Sequence, residues 1–208
     1  MPVHTVEQGE HLSSIAAKYG FQKVATIWEH PDNAGLKSQR KNPHILLPGD
    51  KVVIPDKQRK EESRGTTKLH SFQLAGEKLK LKLALRDIND KPRSGVKCTL
   101  IVEKESKVVT SDGDGIITTD IPKTARTGKL VLPDLEIPLL IGHLDPVEEQ
   151  SGQMARLNNL GYEAGDPEKP DKEIFRSAVE EFQCDQKISI TGDCDAATQA
   201  KLKSVHGC

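Results

Sequence analysis

Phe175-Arg176-Ser177-Ala178-Val179-Glu180-Glu181-Phe182-Gln183 sets the period of the last third of the chain. Its apolar residues Phe175, Ala178, Val179 and Phe182 recur at i, i+3, i+4 and i+7. That spacing places them on one face of a helix of about three turns. Upstream, Met154, Leu157 and Leu160 share a second helical face, and Gly161 is a natural stop. Downstream, Asp193 or Asp195 can cap a third helix whose inner side holds Thr198, Leu202 and Val205. Three short helices in succession read as a small bundle.

The rest of the 208-residue chain has another texture. Residues 78–86 put Leu79, Leu81, Leu83 and Leu85 on one side and lysines on the other, the period of a half-buried strand. Val96, Cys98, Leu100 and Val102 repeat it. Val108–Thr110 and Ile116–Thr119 flank Asp112-Gly113-Asp114-Gly115, a sequence that predicts a hairpin turn. Leu130–Leu132 and Leu135–Ile137 follow. Five to seven short strands of this kind predict a small β-sandwich. Upstream of them, residues 56–68 contain no apolar side chain and read as a polar linker.

Composition removes several function classes. A net charge of -1 offers no basic field to nucleic acid or anionic lipid. No apolar run approaches the length of about 18 residues that a membrane span needs. The first residues carry neither a basic nor an apolar signal region, so synthesis in the cytoplasm is expected. Partners among nucleic acids and membranes are therefore not expected.

The first 55 residues read strand, helix, helix, strand: His4–Val6, then Leu12, Ile15, Ala16 and Tyr19, then Val24, Ile27 and Trp28, then Lys51–Ile54. The order βααβ and the residues His4-Thr5-Val6, Gly9-Glu10, Leu12, Ile15-Ala16, Tyr19-Gly20 and Leu47-Pro48-Gly49-Asp50 resemble a LysM domain. That resemblance implies a shallow groove for N-acetylglucosamine-containing glycans. Carried over by position, Gly9, Glu10, His11 and Leu12 form one side, and Asn42, Pro43, His44, Ile45 and Leu46 the other. A polar insert at residues 32–41 departs from the family pattern.

The C-terminal segment resembles the three-helix peptidoglycan-binding module on the residues Arg156-Leu157-Asn158-Asn159-Leu160-Gly161-Tyr162, Ala178-Val179, Phe182-Gln183, Thr191-Gly192-Asp193, Thr198 and Leu202. The resemblance implies muropeptide binding, with Tyr162, Asp166, Phe182 and Gln183 as candidates. Packing is the alternative role for Tyr162, Phe182 and Gln183. The loop from Gly165 to Lys172 departs from the family's turn. The middle segment is similar to carboxypeptidase-regulatory or prealbumin-like sandwiches at the level of fold.

Together these readings give a multidomain α+β chain: a LysM module at 1–55, a linker at 56–68, a β-sandwich at 69–141 and a three-helix bundle at 142–208. The whole arrangement, with Gly142-His143-Leu144-Asp145-Pro146 and His206-Gly207-Cys208, resembles accessory proteins encoded beside type VI secretion and phage-tail-like spike genes. What this implies is a non-catalytic peptidoglycan-binding protein with a type VI spike protein or effector as partner, delivered to the periplasm or a target cell. The alternatives are a structural adaptor that binds no glycan and the targeting subunit of a murein hydrolase.

Other chemistry is weaker. The histidines His4, His11, His30, His44, His70, His143 and His206 lack ligand spacing, so no metal or other cofactor is expected. Asp112 and Asp114 open like a calcium loop, but Lys123 stands where its closing Glu belongs. Cys98 alternates with apolar residues and reads as a buried thiol. Cys184, Cys194 and Cys208 are reduced by default, with one disulfide open to them after export. None shows a nucleophile setting, and no catalytic residue is assigned. The seven aromatics divide among small cores: Tyr19 and Trp28 in the first, Phe72 at the sandwich edge, and Tyr162, Phe175 and Phe182 in the last. Only Phe21 lacks a place, so a sugar platform is not expected.

Overall fold

The computed structural model describes residues 1–58, 61, 63–71, 78–87, 89 and 91–208. Phe72 and part of the expected linker lie outside them. The chain is α+β and divides into two compact units. The first comprises Met1–His44 and Pro48–His143, the second Ile45–Leu47 and Leu144–Cys208. The described residues of 56–71 are all exposed, as a stretch almost without apolar side chains must be.

The first unit begins with strand β1 (Val3–Thr5), helix α1 (Leu12–Lys18) and helix α2 (Ala25–Trp28). A 3-10 turn (Pro31–Asn33) then leads into helix α3 (Ala34–Arg40), and strand β2 (Lys51–Val53) pairs antiparallel with β1. Helix α3 lies where only a polar insert was expected, and it buries no residue of its own. Two polar ties hold it. Asn33, 1% exposed, donates to the carbonyls of Ile27 and Val53 and accepts from Val53 N–H, each at 2.8 Å. Arg40 grips Asp50 with two bonds of 2.8 Å. A helix held from its ends leaves no apolar period to read in the sequence.

Six strands follow: β3 (Leu79–Ala84), β4 (Lys97–Val102), β5 (Glu105–Thr110), β6 (Ile116–Ile121), β7 (Thr127–Val131) and β8 (Glu136–Leu140). They form a two-stranded sheet, β3-β6, and a four-stranded sheet, β5-β4-β7-β8. Both feed one core, to which β4 gives Cys98, Leu100 and Val102, β6 gives Ile117 and Ile121, and β7 gives Leu130. The leucines of β3 pack against it at period two while its lysines face water.

The expected hairpin across Asp112–Gly115 is not formed. The turn itself is there, with Asp112 Oδ1 accepting from the N–H groups of Asp114 at 3.0 Å and Ile116 at 2.8 Å. Its arms, however, part: β5 pairs with β4, and β6 pairs with β3 over six residues. Turn chemistry reverses the chain but does not choose the partner. The buried side of β6 matches the leucine side of β3, and that match decides the register.

Strand β8 is an edge. Ile141 N–H donates inward to the Arg126 carbonyl, so by the period of two Pro138 turns its nitrogen outward, where no ladder bond is lost.

In the second unit, helices α4 (Gln150–Asn159), α5 (Lys172–Asp185) and α6 (Ala196–His206) enclose Met154, Leu157, Ala178, Val179, Phe182 and Leu202. Asp195, rather than Asp193, caps α6 by accepting from Thr198 N–H at 2.8 Å. Val205 is 40% exposed and does not join the inner side expected for it. Among the described residues no helix is long and apolar enough to cross a membrane.

Candidate functional site

The residues expected to form the N-terminal groove fall into two states. Gly9, Glu10, His11 and Leu12 are all buried. Glu10 is the hub of a polar cluster: its carboxylate meets His4 Nε2 at 2.6 Å, Glu7 N–H at 3.1 Å, Lys18 Nζ at 3.3 Å and Arg126 at 3.4 Å. Burial pushes its carboxyl pKa up, but the Glu7 N–H, His4 and Lys18 outweigh that and hold it below the ordinary 4.5.

His11 caps α1. Its Nδ1 accepts from Ser14 N–H at 3.4 Å, and Ser14 Oγ accepts from His11 N–H at 3.1 Å. Its Nε2 is buried without a partner. Burial first, then the nearby His44 and Arg126, push its pKa down to about 4. The end of the strand region closes over this corner. A Cβ on Gly9 would come within 2.6 Å of His143 Nε2, and one on Gly142 within 2.8 Å of the Gly9 carbonyl. Only glycine at both positions permits the approach.

Leu12 N–H donates to the Pro43 carbonyl at 3.0 Å, so the two expected sides do come together. Of the second side, Asn42 accepts from His44 N–H at 2.9 Å, and His44 is exposed with its ring 5.9 Å from that of His11. Ile45 and Leu46 are buried, at 8% and 3%. Most of the carried-over groove is therefore interior.

The C-terminal candidates divide in the same way. Phe182 is wholly buried, with Tyr162 edge-on to it at 5.5 Å. Gln183, also 0% exposed, spends its whole amide on the loop before α6 and on the first turn of α6. Its nitrogen donates to Thr191 Oγ1, Thr198 Oγ1 and the Asp193 carbonyl, and its oxygen accepts from Thr191 and Gly192 N–H. Tyr162 is half-buried and donates to Asp185 at 3.1 Å. Asp166 is exposed and caps its own turn through Glu168 N–H.

What the second unit does open to water is a depression of about 660 Å³ lined by Gly161, Glu163, Glu173, Ile174, Ser177, Ala178 and Glu181. Three carboxylates surround a partly apolar floor on which Ile174 is 47% exposed. None of these residues was singled out as a contact from the sequence. Their signal, the outward side of α5, reads as ordinary solvated surface.

Sequence reading took Arg156 only as part of the family likeness, yet among the described residues it is the largest fully buried side chain. It donates to the carbonyls of Asp145, Gly152 and Cys208 at 2.7–2.9 Å. Among the described residues no group of three His, Cys, Asp or Glu side chains is placed to hold a metal ion.

No curated protein and no solved structure matches the chain. Residues 154–202, from α4 to α6, match the model of the family described as "Putative peptidoglycan binding domain".

Proposed function

We propose that the chain is a non-catalytic cell-wall protein that binds peptidoglycan through its C-terminal helical domain. The observation that carries the reading is the family match over residues 154–202. The depression beside α5 supplies the surface. Carboxylates at 163, 173 and 181 suit the ammonium and amide groups of a stem peptide, through charge-assisted hydrogen bonds, better than they suit a neutral sugar. Ile174 adds an apolar contact.

Co-sedimentation of the full chain with purified sacculi tests this. Ser177→Arg, which fills the depression from an exposed position, is expected to lower binding about tenfold with the melting temperature unchanged. Wild-type protein that stays in the supernatant would overturn the reading, and unaltered binding by the variant would remove the depression from it.

For the N-terminal module the burial of Gly9–Leu12 favours the adaptor alternative. In this second reading the LysM-like residues serve as scaffold, and the partner is a type VI spike protein or effector.

A further inference from the structure

Phe21 is the one aromatic that the sequence leaves without a core, and the fold gives it a definite place. Helix α1 ends at Lys18, Tyr19 is its C-cap, and Gly20 follows in the left-handed conformation at φ 72°. The Gly20 N–H then donates to the Ala17 carbonyl at 3.0 Å, and the Phe21 N–H to the Ala16 carbonyl at 2.7 Å. This pair of bonds is a glycine stop, and it sets the residue after the glycine beside the end of the helix. Phe21 is held there half-buried.

Tyr19 is held as well. His4 Nε2 stands 2.6 Å from the Glu10 carboxylate, and the Tyr19 hydroxyl stands 3.3 Å from His4 Nδ1. A carboxylate only accepts, so Nε2 carries the proton of the neutral imidazole and Nδ1 accepts from the phenol. The Tyr19 O–H is thereby spent inward, with its ring edge-on to that of His4 at 5.6 Å.

Tyr19 and Phe21 border a depression of about 470 Å³ within the first unit, a volume in the range of small-molecule sites. Pro2, Ile54 and Pro55 complete its apolar side, where the Ile54 N–H closes the sheet end on the Pro2 carbonyl at 2.9 Å. The prolines bring no N–H, so this side offers rings and aliphatic carbon. The rest of the lining is charged. Lys18 is committed to Glu10 at 3.3 Å. Asp56 and Lys57 are exposed, and among the described residues neither has an ion-pair or hydrogen-bond partner. Lys57 Nζ reaches over the helix end, 2.8 Å from where a Cβ on Gly20 would stand.

Unpaired charges of both signs beside two aromatic rings suit a ligand that carries both signs on an aromatic body. An acid alone would leave Asp56 unanswered, and an amine alone would leave Lys57 unanswered. A neutral ligand would use neither. We propose that this depression is a binding site for a free aromatic α-amino acid. Its carboxylate lies on Lys57, its ammonium on Asp56 and its ring against Phe21 and Tyr19. None of these residues belongs to the domain that carries the wall-binding reading.

Titration of the full chain with L-phenylalanine, followed by amide NMR, is expected to shift the signals of Gly20, Phe21, Asp56 and Lys57. Phenethylamine, which lacks the carboxylate, and hydrocinnamate, which lacks the ammonium, are each expected to bind about fivefold more weakly. L-Alanine keeps both charges without the ring and is expected to shift none of the four. Lys57→Met is expected to weaken L-phenylalanine about fivefold and to leave phenethylamine unchanged. Asp56→Asn is expected to weaken L-phenylalanine to the same extent and to spare hydrocinnamate. Both residues are exposed, so unchanged melting temperatures are expected. Absence of shifts at these amides with L-phenylalanine would overturn the proposal. So would equal affinity for L-phenylalanine and any of the three other ligands, or a charge variant that weakens every ligand alike.

Discussion

At the scale of single residues, Ile45 separates two roles with opposite consequences. As a groove residue its replacement by Asp would weaken sugar contact and leave the fold alone. At 8% exposure it is a core residue, and Ile45→Asp places a charge where apolar contacts were. The expected outcome is a loss of about 3 kcal/mol or more of unfolding free energy, read from the urea midpoint. An Ile45→Asp protein as stable as wild type would return the residue to the surface. The same distinction explains how little of the site was legible. Gly9, Glu10 and His11 can be recognised in sequence as a turn and a helix start. The residues that enclose them, Arg126, Gly142 and His143, arrive from more than a hundred positions away, beyond the reach of any local period.

At the scale of elements, helices with an apolar stripe were readable and helices held by polar ties were not. Helix α5 follows its Phe175–Phe182 spacing, whereas α3 has no stripe and depends on Asn33 and the Arg40–Asp50 pair. The signals for α3 were present in Pro31-Asp32-Asn33, which is start chemistry without a stripe behind it. Strand partners were equally hidden, since a turn such as Asp112–Gly115 gives the reversal but not the neighbour. Gln183 is the clearest case of one side chain organising an element. Four of its five bonds fix the 188–195 loop between α5 and α6, and the fifth reaches Thr198 on α6. Gln183→Ala strands the N–H groups of Thr191 and Gly192 and is expected to cost about 3 kcal/mol in chemical denaturation. A cost below about 1 kcal/mol would mean that water replaces the amide and that the loop does not depend on it.

At the scale of the molecule, acid is the condition to which both units respond. His11 in the first unit and His206 in the second are each pushed from the ordinary 6.5 to about 4, chiefly by burial. A histidine whose folded pKa is lowered binds its proton more readily when unfolded, so stability is complete above pH 6.5 and falls as pH drops toward 4. For His11, 2% exposed, the loss amounts to about 3 kcal/mol when complete. Glu10 adds to it lower down, because a carboxyl held below 4.5 gives up its contribution as pH falls through its folded value. A urea series from pH 7 to pH 4 is expected to show the decline. His11→Asn, which keeps a helix cap, is expected to flatten it, and an identical slope would show that His11 is not its source. The change from strand period to helical period along the chain was readable in the sequence. The acid response was not, since that arises from burial alone. The outward-facing nitrogen of Pro138 bears on a different kind of durability. An edge strand normally offers a row of donors on which another chain can build, and β8 is missing one from the middle of its five residues. Strand-by-strand growth from that rim is interrupted at its centre, so crowding the protein to high concentration is not expected to seed fibrils from this side of the sheet.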